Sequence, residues 1–459
     1  MDKNFCESQK EQPVSTQFRV CGSAFPGGAR VGWNNILSGN GRKVMKKNLS
    51  VLFLSLLISG CISVTEEKDR PPRPGDEDFF PIIAWDAWCG EREGDHMPDQ
   101  EIFDGMAECG ITVAGFYSPQ FLDMIDQSGL VTYVRDKRGN NHDQWDPAAY
   151  DHDKAAEDIA ELVAEVNDHP AVYGYYLRDE PSPPHFEMIA DMMNIYRSLN
   201  TGKELYVNML PGNNDQNHFN YLNSFVETCK PDSLGYDAYC VFESSPNQIT
   251  SWLWVNLEAM YKVSNQHHLP FWAVVLSNSH FNYRLPTYQD LCLEVYAPLA
   301  YGAKGIAYFT YMTPYIGNFR QAPIDHLHKK TPIWDHLRTI NHVILNWAPI
   351  LNQLESTQVY HIPNSKPDLF SDPNEDSILS GVKGGSVVVG EFRHKSNNYK
   401  YLLIVNKDLV GSISVEPQFR TPPKAVRIVS KWNKNLRYDY AFDHSWLAPG
   451  DAMLLEIEE

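Results

Sequence analysis

Eight short apolar runs recur between residues 81 and 311, at 81–86, 111–117, 130–135, 172–178, 204–209, 233–239, 271–277 and 304–311. They are rich in β-branched and aromatic residues, and such near-continuous apolar runs are how strands buried on both faces read. Stretches with helical spacing or helix-start signals separate them, at 99–109, 120–128, 152–167, 185–199, 216–229, 247–266 and 287–302. Parallel neighbours need a crossover of a dozen or more residues, which helices of this length supply. Eight strand–helix units in about 270 residues have the size and rhythm of a (β/α)8 TIM barrel. An open doubly wound sheet would put a glycine-rich phosphate loop after its first strand, and none follows 81–86. The helix 334–354 completes the barrel, with its Trp, Leu and Ile stripe packed on the outside.

Beyond it the texture changes. Residues 356–376 read as loop, and short alternating runs follow at 377–382, 385–393, 399–405, 412–417, 424–430 and 451–457. They predict a small C-terminal antiparallel β-domain, sandwich-like, over 356–459, after a barrel over 79–355.

The run 172–181, VYGYYLRDEP, stops abruptly on Arg178, Asp179, Glu180 and Pro181. In a parallel barrel the carboxyl ends of the strands carry the chemistry. Glycoside hydrolysis needs one carboxylic acid kept protonated for the leaving oxygen and a second carboxylate as nucleophile or base. Glu180 suits the first role, because aromatic surroundings raise its pKa at a mouth open to substrate. Arg178 and Asp179 would hold orientation and charge, although an ion pair capping a loop also explains them.

This corner resembles the Asn-Glu-Pro or Asp-Glu-Pro corner ending strand four in the large clan of retaining (β/α)8 glycoside hydrolases. The stretch 301–311, YGAKGIAYFTY, is similar to the last barrel strand of β-galactosidase-like and endoglucanase-like members, and 448–456, APGDAMLLE, to the closing strand of their accessory domain. The resemblance implies that Glu180 is the acid/base and that a nucleophilic glutamate ends strand seven. Here strand seven runs Val274, Val275, Leu276, Ser277, Asn278, Ser279, His280, with no acid. The nearest replacement is Asp237, at the mouth of strand six, for which a structural hydrogen bond is the competing reading. Strands two apart place their mouths roughly 10 Å apart, so a Glu180–Asp237 pair implies a carboxyl separation of ~6.5–9 Å and inversion. An Asp-Glu pair with an Asp and Tyr239 on strand six also resembles chitinase and hexosaminidase sites, where the substrate's acetamido group attacks.

Trp85, Trp88, Tyr117, Trp272, His280 and Tyr311 fall at or near strand ends, where rings stack on sugars or simply pack the rim. Asn208 offers a hydrogen bond to a hydroxyl, and Asp86 is a further candidate ligand. Asp136, Glu243 and Glu294 are weaker candidates. His267 and His268 precede a strand, so no metal site is read there, and hydrolysis by carboxylates and water requires no cofactor.

Residues 45–61, MKKNLSVLFLSLLISGC, carry two lysines and an apolar run too short to span a membrane, and resemble a bacterial lipoprotein signal with lipidation at Cys61. On that reading 1–44 is upstream sequence or disorder, 62–78 a Pro-rich tether, and the protein sits lipid-anchored at the bacterial cell envelope. The net charge is −19, and −24 beyond residue 60, which argues against nucleic acid as partner. Cys89, Cys109, Cys229, Cys240 and Cys292 form no CxxC, and Cys229 and Cys240, on opposite ends of strand six, are not expected to pair. The expectation is a glycoside hydrolase acting on a poly- or oligosaccharide. The alternatives are a non-catalytic carbohydrate-binding lipoprotein on a degenerate barrel, and a substrate-assisted hexosaminidase-like hydrolase.

Overall fold

The computed structural model describes residues 70–85, 97–140, 146–212, 215–441 and 445–459. The signal with Cys61, and also Asp86, Trp88 and Cys89, lie outside the described residues. All the described residues belong to one compact unit, Glu66–Glu459.

Strands β1 (Ile82–Trp85), β2 (Val113–Tyr117), β3 (Val131–Val134), β4 (Val172–Asp179), β5 (Glu204–Met209), β6 (Leu234–Asp237), β7 (Phe271–Leu276) and β8 (Gly305–Phe309) form a closed barrel in chain order. Every pair is parallel, and β8 closes on β1 through Ile82↔Ile306 to Trp85↔Phe309. Helices α1 (Gln100–Glu108), α2 (Leu122–Gln127), α3 (Lys137–Asn140), α4 (His152–Val166), α5 (Phe186–Ser198), α6 (Asp215–Cys229), α7 (Trp252–His267), α8 (Tyr288–Ala300) and α9 (Pro332–Leu351) connect and follow the strands. Local signals set their starts. Asp151 caps α4 by accepting from the Lys154 N–H, Thr287 and Asp290 form a capping box on α8, and α9 begins with Pro332 after the Thr331 cap. In α4 the buried positions Ala155, Ile159, Leu162 and Val166 repeat at helical spacing, giving one face to the barrel.

The barrel interior is filled by a repeated exchange of size between neighbouring strands. Tyr133 on β3 occupies the space a Cβ on Gly174 of β4 would need, the hydroxyl of Tyr206 on β5 does so for Gly235 of β6, and Trp272 on β7 for Gly305 of β8. Trp272, expected as a sugar platform, is therefore core: it is 3% exposed, near the amino-terminal end of its strand, and its ring packs against Tyr133, Tyr173 and Tyr206. Trp85 is likewise 2% exposed and wedged among Phe116, Tyr176, Tyr206 and Phe309, so it plugs the barrel below the mouth.

The chain then builds β9 (Leu354–Ile362), β10 (Leu379–Lys383), β11 (Val387–His394), β12 (Lys400–Asn406), β13 (Ile413–Ser414), β14 (Glu416–Phe419), β15 (Ala425–Val429), β16 (Arg437–Asp439), β17 (Trp446–Leu447) and β18 (Ala452–Glu458). A six-stranded antiparallel sheet runs β16-β15-β18-β12-β11-β9, and the ribbons β10-β14 and β13-β17 lie apart from it. Strand β9 corrects the reading of 356–376 as loop: it is the sheet's edge, paired with β11. Alternate side chains divide between two cores. Val388, Leu403, Val405 and Leu454 join the barrel's core, whereas Val387, Val389, Leu402, Ile404, Met453 and Leu455 pack under the ribbons. Helix α8, buried from Asp290 to Ala300, lies between β7 and this sheet. The approach is so close that a Cβ on Gly390 would strike the carbonyl of Ala300.

A buried polar chain also crosses the junction. Lys407 Nζ lies 3.1 Å from His361 Nδ1, His361 Nε2 lies 2.8 Å from the Tyr301 hydroxyl, and that hydroxyl donates to Glu258 Oε1 at 2.7 Å. A lysine at Nδ1 makes that nitrogen the acceptor and leaves the ring proton on Nε2, so each of the three links joins one donor to one acceptor.

Residues 70–78, expected to belong to a free tether, are fastened to the barrel. The Arg73 guanidinium binds Asp126 Oδ1 at 2.7 Å and the Gly129 carbonyl at 3.0 Å, and Asn352 holds the carbonyls of Glu77 and Phe79. Cys109, Cys229, Cys240 and Cys292 are free and buried, so Cys229 and Cys240 are indeed unpaired. Among the described residues no helix is long and apolar enough to cross a membrane.

Candidate active site

The mouth is organised by register. Asp179 pairs with Asn208 and Asn208 with Gly235, and Asp237 lies two residues beyond Gly235, on the same face of its strand. The three side chains meet: Asn208 Nδ2 donates to Asp237 Oδ1 at 2.9 Å and to Asp179 Oδ1 at 3.2 Å. Two hydrogens on one amide nitrogen diverge by about 120°, which sets the two acceptor oxygens about 5 Å apart. Asn208, only 1% exposed, is thus a brace for two acids.

Beyond Asp179 the chain turns sharply. Glu180 has φ 45°, in the left-handed region that a non-glycine residue occupies at a cost of order 1 kcal/mol or more, and such outliers cluster at functional sites. Its N–H donates to the Asn208 carbonyl at 2.8 Å, and the next carbonyl, of Pro181, accepts from the Tyr221 hydroxyl at 2.6 Å. Arg178 Nη2 donates to His185 Nε2 at 3.3 Å, placing the His185 proton on Nδ1, which faces Ser182.

Three carboxyls in one crevice repel one another's charge. Glu180 is pushed up to about 7, first by loss of hydration at the mouth and then by the Asp179 charge. Asp237 is pushed up by burial and then by Glu180 and Asp179, with Asn208 opposing. Asp179 reaches water along the mouth yet is closely ringed by protein, which raises it, while Asn208, Arg135 and Arg178 oppose. A carboxyl titrating near neutrality can hold and release a proton, as a general acid must.

An aromatic wall stands on the β6–β8 side. The Tyr239 ring stacks on Phe309 with centroids 5.3 Å apart and meets Tyr283 edge-on at 5.7 Å. His280 lies flat on Phe319 at 4.3 Å, donates through Nδ1 to Asn278 Oδ1 at 2.7 Å, and is kept neutral by burial, which lowers it to about 4. At 3% exposure His280 supports the wall from behind, whereas Phe281 beside it is 62% exposed.

Other expected ligands lie elsewhere. Tyr311 is fully buried, its hydroxyl accepting from Trp334 Nε1 at 3.0 Å against α9, so it belongs to the barrel's outer packing. Tyr117 packs likewise against Phe103 and Phe121. Asp136 is paired with Arg138 and Glu243 with Arg320, and Glu294 is buried within α8. At the end of strand seven Ser277 Oγ donates to the Thr310 carbonyl and Asn278 Nδ2 to Thr310 Oγ1, so neutral groups bonded to the next strand stand there. Sequence reasoning missed Arg135, whose guanidinium lies 5.7 Å from the Tyr176 ring centre, and also Tyr221, Tyr283, Phe309 and Phe319. An arginine closing the apolar run 130–135 was one available signal; Tyr221 and Phe309 sit on α6 and at the end of β8, while Tyr283 and Phe319 come from loops with no pattern of their own. Among the described residues no three His, Cys, Asp or Glu side chains converge as metal ligands do.

No family model and no curated protein matches this sequence. Solved structures do match its fold. A β-galactosidase of glycoside hydrolase family 42 from G. stearothermophilus, a catalytic mutant, is 8% identical over 84% of this chain and 99% of that one, with TM-score 0.55. A glycoside hydrolase of family 5 from Bacteroides vulgatus is 11% identical over 83% and 90%, with TM-score 0.51. The chain spans 60% of the length of a β-galactosidase from Marinomonas ef1, at 10% identity and TM-score 0.44. The fold of this chain is thus similar to the folds of these glycoside hydrolases of families 5 and 42.

Proposed function

We propose that this protein hydrolyses O-glycosidic bonds of a glycan, with Glu180 as general acid and Asp237 as its partner. The reading rests on one observation above all: a glutamate in strained backbone at the barrel mouth, raised to about 7, beside two acids joined by one asparagine. Glu180 would protonate the leaving oxygen while Asp237 draws a proton from water attacking the opposite face of the sugar. Asn208 favours the charged form of Asp237, which a base must reach. Arg178, Asp179 and Tyr239 would line the sugar's subsite. The lipobox-like Cys61 supports anchoring at the bacterial cell envelope.

The closeness of Asp179 to Asp237 favours a second reading, in which the pair grips the acetamido group of an N-acetylated sugar and its carbonyl oxygen attacks. Proton NMR of the first-formed sugar, from a panel of aryl glycosides and polysaccharides, separates the two. Inversion supports Asp237 as base, and retention on N-acetylated substrates alone supports substrate assistance. Hydrolysis surviving in Glu180→Gln would remove the assignment, and glycan binding without any hydrolysis would favour the non-catalytic alternative.

A further inference from the structure

We propose that the β-domain carries a second glycan-binding site, remote from the barrel mouth and built on Trp432, Tyr438 and Trp446. These rings are 68%, 42% and 57% exposed, and all three line one cavity of about 240 Å³. Single exposed hydrophobic residues are ordinary on protein surfaces, but three large rings around one hollow are a recognition surface.

The rings stand on a base fixed in advance. The Ser430 carbonyl accepts from Trp347 Nε1 at 3.2 Å, the Lys431 carbonyl accepts from Asn346 Nδ2 at 2.9 Å, and Ser430 Oγ accepts the Trp432 N–H at 3.1 Å. A turn closes through the Leu436 N–H to the Asn433 carbonyl at 3.1 Å. Binding here would cost little ordering of the loop.

The chemistry selects the occupant. A pyranose presents an apolar C–H face and a hydroxyl rim, so it stacks on an aromatic ring while its edge seeks hydrogen bonds. Lys431, which lines the hollow, is held by an ion pair from its Nζ to Asp451 Oδ1 at 2.5 Å and stays 22% exposed, offering a fixed donor to hydroxyls. The hollow holds one ring rather than a helix, and a chain of net charge −19 disfavours anionic lipid or nucleic acid. Trp347, in the hollow's wall, lies fifteen residues into α9, so at the helical rise it is about 22 Å along the axis from the end nearest the mouth. A glycan held here would keep the protein on a polymer surface while the mouth stays free.

The proposal does not rest on hydrolysis, and its test is separable from it. Purified Glu180→Gln protein is mixed with insoluble cellulose, mannan, xylan and chitin, and the free fraction measured. Retention on at least one polymer is expected, weakened at least about tenfold by Trp432→Ala or Trp446→Ala. Trp432→Phe and Trp446→Phe keep a stacking ring and are expected to retain most of the binding, which guards against a folding artefact. If the mouth is active, the Trp→Ala changes in the native background leave kcat/KM on small aryl glycosides unchanged. Retention by none of the four polymers, retention indifferent to both Trp→Ala changes, or tryptophan-dependent binding to phosphatidylcholine vesicles instead would overturn the site.

Discussion

Asn208 Nδ2 stands 2.9 Å from Asp237 Oδ1, and the same nitrogen reaches Asp179 at 3.2 Å. Asn208→Ala removes the donor that favours the charged form of Asp237, so the acidic limb of the pH–rate profile should move to higher pH. With both carboxyls loosened, kcat should fall roughly 10²-fold, and stability by about 1–3 kcal/mol for polar groups left unsatisfied. An unchanged pH profile in Asn208→Ala would show that the brace has no bearing on the chemistry.

Glu180, raised to about 7 from an ordinary 4.5, should be active as a proton donor only while protonated, so the rate should decline above about pH 7. Glu180→Gln should lower kcat at least ~10³-fold. The same shift acts on stability. The folded state binds the proton more tightly than the unfolded chain, so folding is penalised progressively as pH rises from about 4.5 through 7. Melting curves of Glu180→Gln should therefore exceed wild type by a margin that grows across this window and levels off above it.

Much of the barrel was legible because strands buried on both faces leave apolar runs, and 204–209 coincides with β5 to the residue. That same property hid the direction of individual side chains. Without in–out alternation, Trp272 and Tyr311 gave no sign that one fills the barrel and the other packs under a helix. Strand β9 escaped because Glu355, Ser356, Thr357 and Gln358 make its first half polar, as an edge strand allows. At the mouth, Glu180, Asp237 and Asn208 were found because each lies within two residues of the end of a recognisable run, whereas Tyr283 and Phe319 are brought in by loops.

The pairing of bulky rings with glycines gives a direct test of the interior. Gly305→Ala would place a Cβ 2.8 Å from Trp272 Cδ2 and should cost about 1–3 kcal/mol in urea unfolding. Trp272→Leu, destabilising alone, should recover part of that loss when combined with it, so the double mutant should be more stable than the sum of the two. Strict additivity would argue that the contact is not what excludes the methyl group.

His361 links the two parts of the molecule and should make their union sensitive to acid. Burial, and then the Lys407 charge, lower it from 6.5 to about 2, so it stays neutral in the folded state while the unfolded chain takes up a proton below about pH 6.5. Its contribution is complete above that value and is lost as pH falls through the window towards 2. His361→Gln, which can accept from Lys407 and donate to Tyr301 without titrating, should flatten the stability profile between about pH 4 and 6.5. Chemical denaturation at stepped pH values would show it, and an equally steep profile in the variant would assign the acid sensitivity elsewhere.

Because Val388, Leu403, Val405 and Leu454 complete the core of the barrel itself, the C-terminal sheet is not a cartridge that could be unclipped at residue 355. A chain cut there would bare the flank of α8 on one fragment and the sheet's inner face on the other, leaving two sticky halves in place of an enzyme and a detachable adaptor. Any inheritance of the sheet by a new architecture must carry the barrel with it.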